Sequence, residues 1–249
     1  MCGITGYFET VPRSMGEELE ATAVTMAATL HHRGPDDSGV WTDPIAGIVL
    51  AHRRLSIMDL SPLGRQPMHS PCDRYVVTFN GEIYNFRALR QELEARGQQF
   101  RGQSDTEVLV ACVTEFGIMS AVRRLNGMFA FALWIGENDS STWCAIGSEK
   151  NRSTTVTGQN AAVGSELKAL RTHPEFACRL NRDALALYLS ITTFRRRFLS
   201  AKVFQRCCLA LWYGFRVRTP IEFRLSRSTG LSMRPRKRRN PYIWIWSHT

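Results

Sequence analysis

Apolar and polar residues change rhythm several times along the chain. Residues 2–9 and 46–53 are short apolar runs and "RYVVTFN" (74–80) is a third; each predicts a strand. "GMFAFALWI" (127–135) is almost continuously apolar, the pattern of a strand covered on both faces. Three stretches follow a helical period instead. "EELEATAVTMAATL" (17–30) is rich in helix formers, and "FRALRQELEARG" (86–97) sets Phe86, Leu89 and Leu93 on one stripe with Gly97 at its end. "SDTEVLVACVTEFG" (104–117) begins with Ser104 and Glu107 at capping-box spacing and then buries Leu109, Cys112, Val113 and Phe116.

Residues 138–162 break this regularity, being polar and weakly patterned. Order returns at "VGSELKALRTHPEF" (163–176) and at "NRDALALYLS" (181–190), a predicted helix with Asn181 as its cap. Beyond Ser190 no clean period remains. Strand and helix blocks in this order predict a layered α+β domain over residues 2–190, with 135–162 atypical and 191–249 a basic tail.

Charge sharpens that boundary. Residues 1–183 carry 18 Lys/Arg against 21 Asp/Glu, whereas residues 184–249 carry 14 against Glu222 alone. The net charge of +10 therefore belongs to the last quarter, and the body is mildly acidic. No apolar run approaches the ~18 residues of a membrane span, and no basic stretch followed by an apolar core opens the chain. The expectation is a cytoplasmic protein without a membrane partner. The seven cysteines are irregularly spaced, with no C-x-x-C pair and no H-E-x-x-H, so neither a disulfide framework nor a metal site is expected.

Cys2 stands out by position rather than type. Removal of Met1 would place its thiol, with a pKa of ~8.5, on the same residue as a free α-amine of ~7.7–8.0. One residue then supplies nucleophile and base. The alternative is a small apolar residue in a first strand. Its company bears on the choice. M-C-G-I is followed by "LHHRGPDDSGVW" (30–41), "AHRRLSIMDLSPLGRQPM" (51–68), "FNGEIYNF" (79–86), "SDTE" (104–107) and "LNGMFAFALW" (125–134). In that order these segments resemble the glutamine-hydrolysing half of asparagine synthetases, which are class II glutamine amidotransferases of the N-terminal-nucleophile hydrolase group. The resemblance covers residues 1 to 134 and resumes over 163–190. It implies a four-layer αββα sandwich and hydrolysis of L-glutamine to glutamate and ammonia through a Cys2 thioester.

Each motif suits that chemistry. A thiolate attacking an amide creates an oxyanion that needs fixed donors. Asn80 and Gly81 match the family's oxyanion hole, although Asn-Gly alone reads as a turn. Arg54 matches the arginine that grips the substrate α-carboxylate, a two-pronged contact lysine cannot copy. Arg53 beside it reads as a solvated neighbour. Backbone groups of Leu55, Ser56, Ile57 and Met58 are implied to line the pocket. Glu82 and Asp105 match the acceptors for the substrate ammonium; Asp105 also reads as an acid favoured in a first helical turn. "HRGPDDSG" (32–39) is a turn cluster by itself, read as support beneath the site.

The synthetase half is missing. Its S-G-G-x-D-S loop does not occur, nor does a G-x-x-x-x-G-K-[ST] loop, so no cofactor is expected for the glutaminase half. ATP and Mg belong to the synthetase half. The implied partners are L-glutamine and either a separate synthetase domain or a second copy of the chain. After Trp134 the family pattern is replaced by "GSEKNRSTTVTGQNAAVGSELK", expected to be a shifted reading frame restored near Gly164, with a second slip after Ser190. Translating the gene in its other frames checks this. The rival reading of the tail is a binding module, with "RPRKRR" (234–239) for phosphates and Tyr242, Trp244 and Trp246 for stacking on bases, or equally for an anionic membrane surface. The weight falls instead on a solvated or frame-shifted tail, so nucleic acid is not an expected partner. A further alternative is an inactive remnant, or a domain serving another ammonia acceptor.

Overall fold

A computed structural model describes residues 1–9, 14–56, 60–136, 141–147, 154–157, 160–176, 221–226, 230–235 and 243–248. The predicted helix at 181–190 lies outside them, as do Ile57 and Met58.

The first sheet has the order β2-β3-β1-β9-β8, from β1 (Gly3–Glu9), β2 (Asp37–Asp43), β3 (Ile48–Arg54), β8 (Thr154–Thr157) and β9 (Asn160–Gly164). The second runs β11-β10-β12-β7-β6-β5-β4. It is built from β4 (Met68–His69), β5 (Tyr75–Ile83), β6 (Gly127–Gly136), β7 (Ser141–Gly147), β10 (Ile221–Ser226), β11 (Gly230–Pro235) and β12 (Ile243–His248). All pairings are antiparallel except β10 with β12. Five α-helices and one 3-10 turn (Pro62–Gly64) complete the described elements: α1 (Gly16–Ala28), α2 (Phe86–Ala95), α3 (Asp105–Phe116), α4 (Ile118–Arg124) and α5 (Leu167–Arg171).

Alternation along the strands builds three apolar layers. Tyr7, Val49 and Ala51 pack on Leu19, Ala23 and Met26 of α1 and on Leu170 of α5. The opposite faces of the same strands present Phe8, Ile48 and Leu50 to Val76, Ala132 and Trp134 of the second sheet. The outer face of the second sheet sets Val77, Phe79, Phe131 and Leu133 against Leu89, Leu93, Val108 and Leu109. The order is helices, sheet, sheet, helices: an α+β sandwich of four layers. β6 is covered on both faces, as its unbroken apolar run requires.

The helix boundaries follow from local chemistry. Glu17 and Glu18 occupy the first turn of α1, and Glu18 accepts from the Met15 N–H at 3.0 Å. Gly97, at φ +90°, ends α2 by letting its own N–H reach the Glu94 carbonyl and that of Gln98 reach Leu93. At α3 only half of the expected capping box forms. The Ser104 hydroxyl accepts from the Glu107 N–H at 3.3 Å, but the Glu107 carboxylate takes the N–H groups of Arg101 and Gly102 at 2.7 and 2.9 Å. Phe116 is half-buried, and the guanidinium groups of Arg96 and Arg124 cover its ring at 5.0 and 4.0 Å.

Several elements depart from the sequence expectation, β8 and the tail strands β10, β11 and β12 among them, since they lie where no clean period was read. β2 rises out of the turn cluster because it pairs with β3 from Asp37↔Arg54 to Asp43↔Ile48. As an edge strand it carries little apolar alternation to announce it. α4 follows Gly117, whose φ of +72° turns the chain between two helices. Residues 141–147, inside the weakly patterned stretch, pair with β6 from Ala130↔Gly147 to Gly136↔Ser141. Among the described residues no helix is long and apolar enough to cross a membrane.

Candidate active site

Cys2 lies one residue before β1. Gly3↔Arg53 is the last registered pair of β1 with β3, so Cys2 falls opposite Arg54 on the face turned to the second sheet. Its main chain and that of Ile4 are held from two sides. The Arg33 Nε donates to the Cys2 carbonyl at 2.9 Å, and Arg33 Nη1 is paired with Glu166 at 3.1 Å. Ser165 exchanges two bonds with Ile4, its Oγ accepting from the Ile4 N–H at 3.0 Å and its N–H donating to the Ile4 carbonyl at 2.8 Å. Met1, in contrast, is 64% exposed.

The Cys2 thiol is half-buried and sits between the backbone groups of Leu55. The Leu55 N–H donates to Sγ at 3.4 Å, and Sγ donates to the Leu55 carbonyl at 3.6 Å. Burial pushes the thiol pKa up; the Leu55 backbone, the terminal amine and the Arg54 charge pull the other way, while Asp105 adds to the rise. A thiol in this setting needs a base to become a nucleophile.

Opposite stands one edge of β5. In an antiparallel strand every second residue turns its N–H and C=O to the same side. The Phe79 N–H donates to Gln66 Oε1 at 2.6 Å, and the Ile83 N–H donates to Asp105 Oδ2 at 3.0 Å. Gly81 lies between them, and the same alternation turns its N–H to that edge. The missing side chain matters here: a Cβ on Gly81 would stand 2.3 Å from the Met128 carbonyl and 2.4 Å from Phe129 Cα. Asn80, buried, points by parity into the space between the sheets, as does Thr78, whose hydroxyl donates to the Ala51 carbonyl at 3.4 Å.

Arg54 is buried at the end of β3, and its Nη1 donates to the Ser61 carbonyl at 2.9 Å. Ser56 is anchored through its N–H to Asp36 Oδ2 at 2.7 Å, and the Asp36 N–H donates to the Arg54 carbonyl at 3.0 Å. Asp105 is buried at the start of α3 while Glu82 is exposed. Burial raises the Asp105 pKa, three backbone N–H groups oppose the rise, and the Glu82 charge adds to it. The structure thus brings together Cys2, Arg54, Leu55, Ser56, Asn80, Gly81, Glu82 and Asp105 at one end of the sandwich.

Sequence reasoning missed several supporting residues. His52 and Gln66 sit inside quoted motifs but carry no spacing signal, and Ser165 and Glu166 lie more than 160 residues from Cys2. Arg53 is not a solvated neighbour: its Nε donates to the Gly34 carbonyl at 3.0 Å and its Nη2 bonds His31 Nδ1. Arg33 and Asp36 support the site, as read from the sequence, by holding the backbones of Cys2 and Ser56. Among the described residues no three His, Cys, Asp or Glu side chains gather as a metal site.

A family model described as a glutamine amidotransferase domain matches residues 1–207. Asparagine synthetase [glutamine-hydrolyzing] 3 of Bacillus subtilis is 40% identical over 191 residues, which is 75% of this chain and 30% of that protein. Asparagine synthetase B of Escherichia coli is 41% identical over 140 residues, 56% of this chain and 24% of its own length. The chain thus spans under a third of these relatives. Among solved structures, glutamine phosphoribosylpyrophosphate amidotransferase from B. subtilis, complexed with ADP and GMP, superposes with a TM-score of 0.55 at 20% identity. That match covers 69% of this chain and 43% of the other, and it shows that the two share this layered αββα fold. Sandwich, ordered motifs and family match agree, and the chain belongs to the glutamine amidotransferase domain family, with its relatives here in the glutamine-hydrolysing part of asparagine synthetases.

Proposed function

We propose that this chain, freed of Met1, hydrolyses L-glutamine to L-glutamate and ammonia at Cys2. The observation that supports the reading best is the half-buried Cys2 thiol bonded to the Leu55 backbone beside Arg54, with the Cys2 carbonyl held by Arg33. The α-amine takes the thiol proton and the thiolate attacks the side-chain amide carbon of glutamine. The oxygen of that amide becomes an oxyanion, received by the Asn80 side-chain amide and the Gly81 N–H. The ammonium of Cys2 returns its proton to the leaving nitrogen, ammonia departs, and a thioester remains. Water, losing a proton to the same amine, breaks the thioester and releases glutamate.

Arg54 holds the substrate α-carboxylate, Glu82 and Asp105 its ammonium, and the backbone of residues 55–58 lines the pocket. No cofactor enters these steps. The ammonia serves ATP-dependent asparagine formation in this reading; the relatives carry the name asparagine synthetase [glutamine-hydrolyzing]. ATP and magnesium then serve a synthetase domain that is not among these residues, whether on a separate chain or reached through a second copy.

Glutamate release by the Met1-free chain, compared with Cys2→Ala and with a chain that retains Met1, tests the reading. Loss on the order of 10⁵-fold in both controls is expected, because one lacks the nucleophile and the other has turned the base into an amide. Equal rates in all three proteins would sink it.

A further inference from the structure

β5 runs beside β4 only at Met68↔Val77 and His69↔Val76. Beyond Val77 its edge must find other partners for buried backbone groups. The first such residue is Phe79, and two side chains hold its main chain, one on each of its two peptides. Gln66 Oε1 accepts from the Phe79 N–H at 2.6 Å, and His52 Nε2 donates to the Phe79 carbonyl at 3.1 Å. Only 1% of His52 and 6% of Gln66 is exposed. Gln66 spends its amide N–H on the Thr106 hydroxyl at 3.2 Å, next in sequence to Asp105. Asp105 in turn takes the Ile83 N–H. The segment Asn80–Gly81–Glu82 is therefore bracketed by side-chain bonds at both ends.

His52 is a costly choice for a merely structural filler. To donate to a carbonyl its Nε2 must carry the ring proton, which leaves Nδ1 as an acceptor. That Nδ1 is buried and has no hydrogen-bond partner among the described residues. An apolar side chain of like size would avoid the orphaned acceptor. The bond that only an N–H donor at this position supplies is the one to Phe79. The carbonyl that receives it shares its peptide plane with the Asn80 N–H, so the bond sets the direction in which Asn80 enters the site.

We propose that His52 and Gln66 are positioning residues that aim the Asn80 side-chain amide and the Gly81 N–H at the oxygen of the tetrahedral intermediate. This rests on the glutaminase reading of Cys2. Neither side chain touches the reacting atoms; His52 acts through the Phe79–Asn80 peptide and Gln66 through the Thr78–Phe79 peptide before it.

The test uses the full Met1-free chain and compares the parent with His52→Leu, His52→Gln and Gln66→Leu. For each, kcat and KM for glutamine are measured together with melting temperature and the rate of Cys2 alkylation by iodoacetamide. Alkylation is read at Cys2 by peptide mass, since exposed Cys72 reacts as well. His52→Leu and Gln66→Leu are expected to lower kcat about 10–100-fold, with KM and Cys2 alkylation within about threefold of the parent. His52→Gln, which keeps an N–H donor at the reach of Nε2, restores most of the lost kcat. An unchanged kcat in folded His52→Leu overturns the proposal, as does a fall in kcat matched by the fall in Cys2 alkylation. Should His52→Leu not fold, an undiminished kcat in Gln66→Leu overturns it equally. Failure here leaves the difference between parent and Cys2→Ala intact, whereas failure of the glutaminase reading abolishes that difference.

Discussion

The space between the two sheets is apolar at one end and polar at the other, and the same three strands build both ends. Along the inner face of β3, Ile48 and Leu50 give way to His52 and Arg54. On β5, Val76 gives way to Thr78, Asn80 and Glu82, and on β1, Phe8 gives way through Gly6 and Ile4 to Cys2. At the apolar end the sheets are joined by area alone, with Trp41 and Trp134 closing it at a centroid distance of 6.5 Å. At the polar end they are joined by directed bonds from side chain to backbone, such as Thr78 to Ala51 and His52 to Phe79. The contrast separates two tasks. Burial without direction supplies stability, whereas directed bonds supply aim and bring groups that water would rather keep.

The sharpest way to break this division is Leu50→Ala. Leu50 is fully buried, and its truncation is expected to cost about 3 kcal/mol in denaturant unfolding. Activity per folded molecule should stay within about twofold of the parent, because no atom of the polar end moves with it. A large loss of kcat with little loss of stability would show that the two ends are one unit.

Nearly as large an effect should come from pH, most of it at the polar end. Burial pushes the His52 pKa down to about 4 against an ordinary 6.5, partly offset by its bond to the Phe79 carbonyl. Between these values the unfolded chain binds a proton that the folded chain refuses. Stability from this group is complete above pH 6.5 and declines as pH falls toward 4, by at most about 3 kcal/mol. Unfolding measured across that window should give a steeper slope in the parent than in His52→Gln, the remainder coming from groups such as His173, whose pKa burial also lowers. Parallel curves would remove His52 as a source of the slope.

The fold was legible where burial imposes a period. β6 lies under two layers, so all its positions are apolar, and α2 has one buried stripe closed by Gly97. β2 was not legible, because an edge strand half-open to solvent has no reason to alternate strictly. Of the site, Cys2, Arg54, Asn80, Gly81 and Asp105 were named from motifs, and their roles remain those of the proposal. His52 and Gln66 escaped because their work is a backbone bond to one distant peptide, which leaves no spacing behind. Glu107 shows the converse: its spacing from Ser104 announced a bond it does not make, since two N–H groups at residues 101 and 102 had stronger need of it.

Arg54→Lys probes direction rather than charge. Lysine keeps the cation but loses the planar pair of donors, one of which is already committed to the Ser61 carbonyl. KM for glutamine is expected to rise about 10–100-fold with kcat much less affected, since the contact is made equally in ground and transition states. A rise in KM no greater for Arg54→Lys than for Arg53→Lys would leave Arg54 without the carboxylate role.

The smallest expected effect is the most telling for the polar end, because it should be a gain. Asp105 is buried with its pKa raised, so at neutral pH the folded chain holds a carboxylate in a place that disfavours the charge. A carboxyl whose folded pKa is raised contributes stability that is fully present below its ordinary value of 3.8 and is lost as pH rises through the folded value. Asp105→Asn keeps an oxygen for the Ile83 N–H while removing the charge. At pH 7 it should raise stability modestly, and below pH 3.8 the advantage should vanish. The same substitution removes an acceptor for the substrate ammonium, so KM for glutamine should rise. Stability and KM increasing together in one variant would mean that the ionised form is kept for the ligand, at a cost to the fold. A variant that loses stability at pH 7 would instead place Asp105 with the structural residues, as an acid serving the first turn of α3.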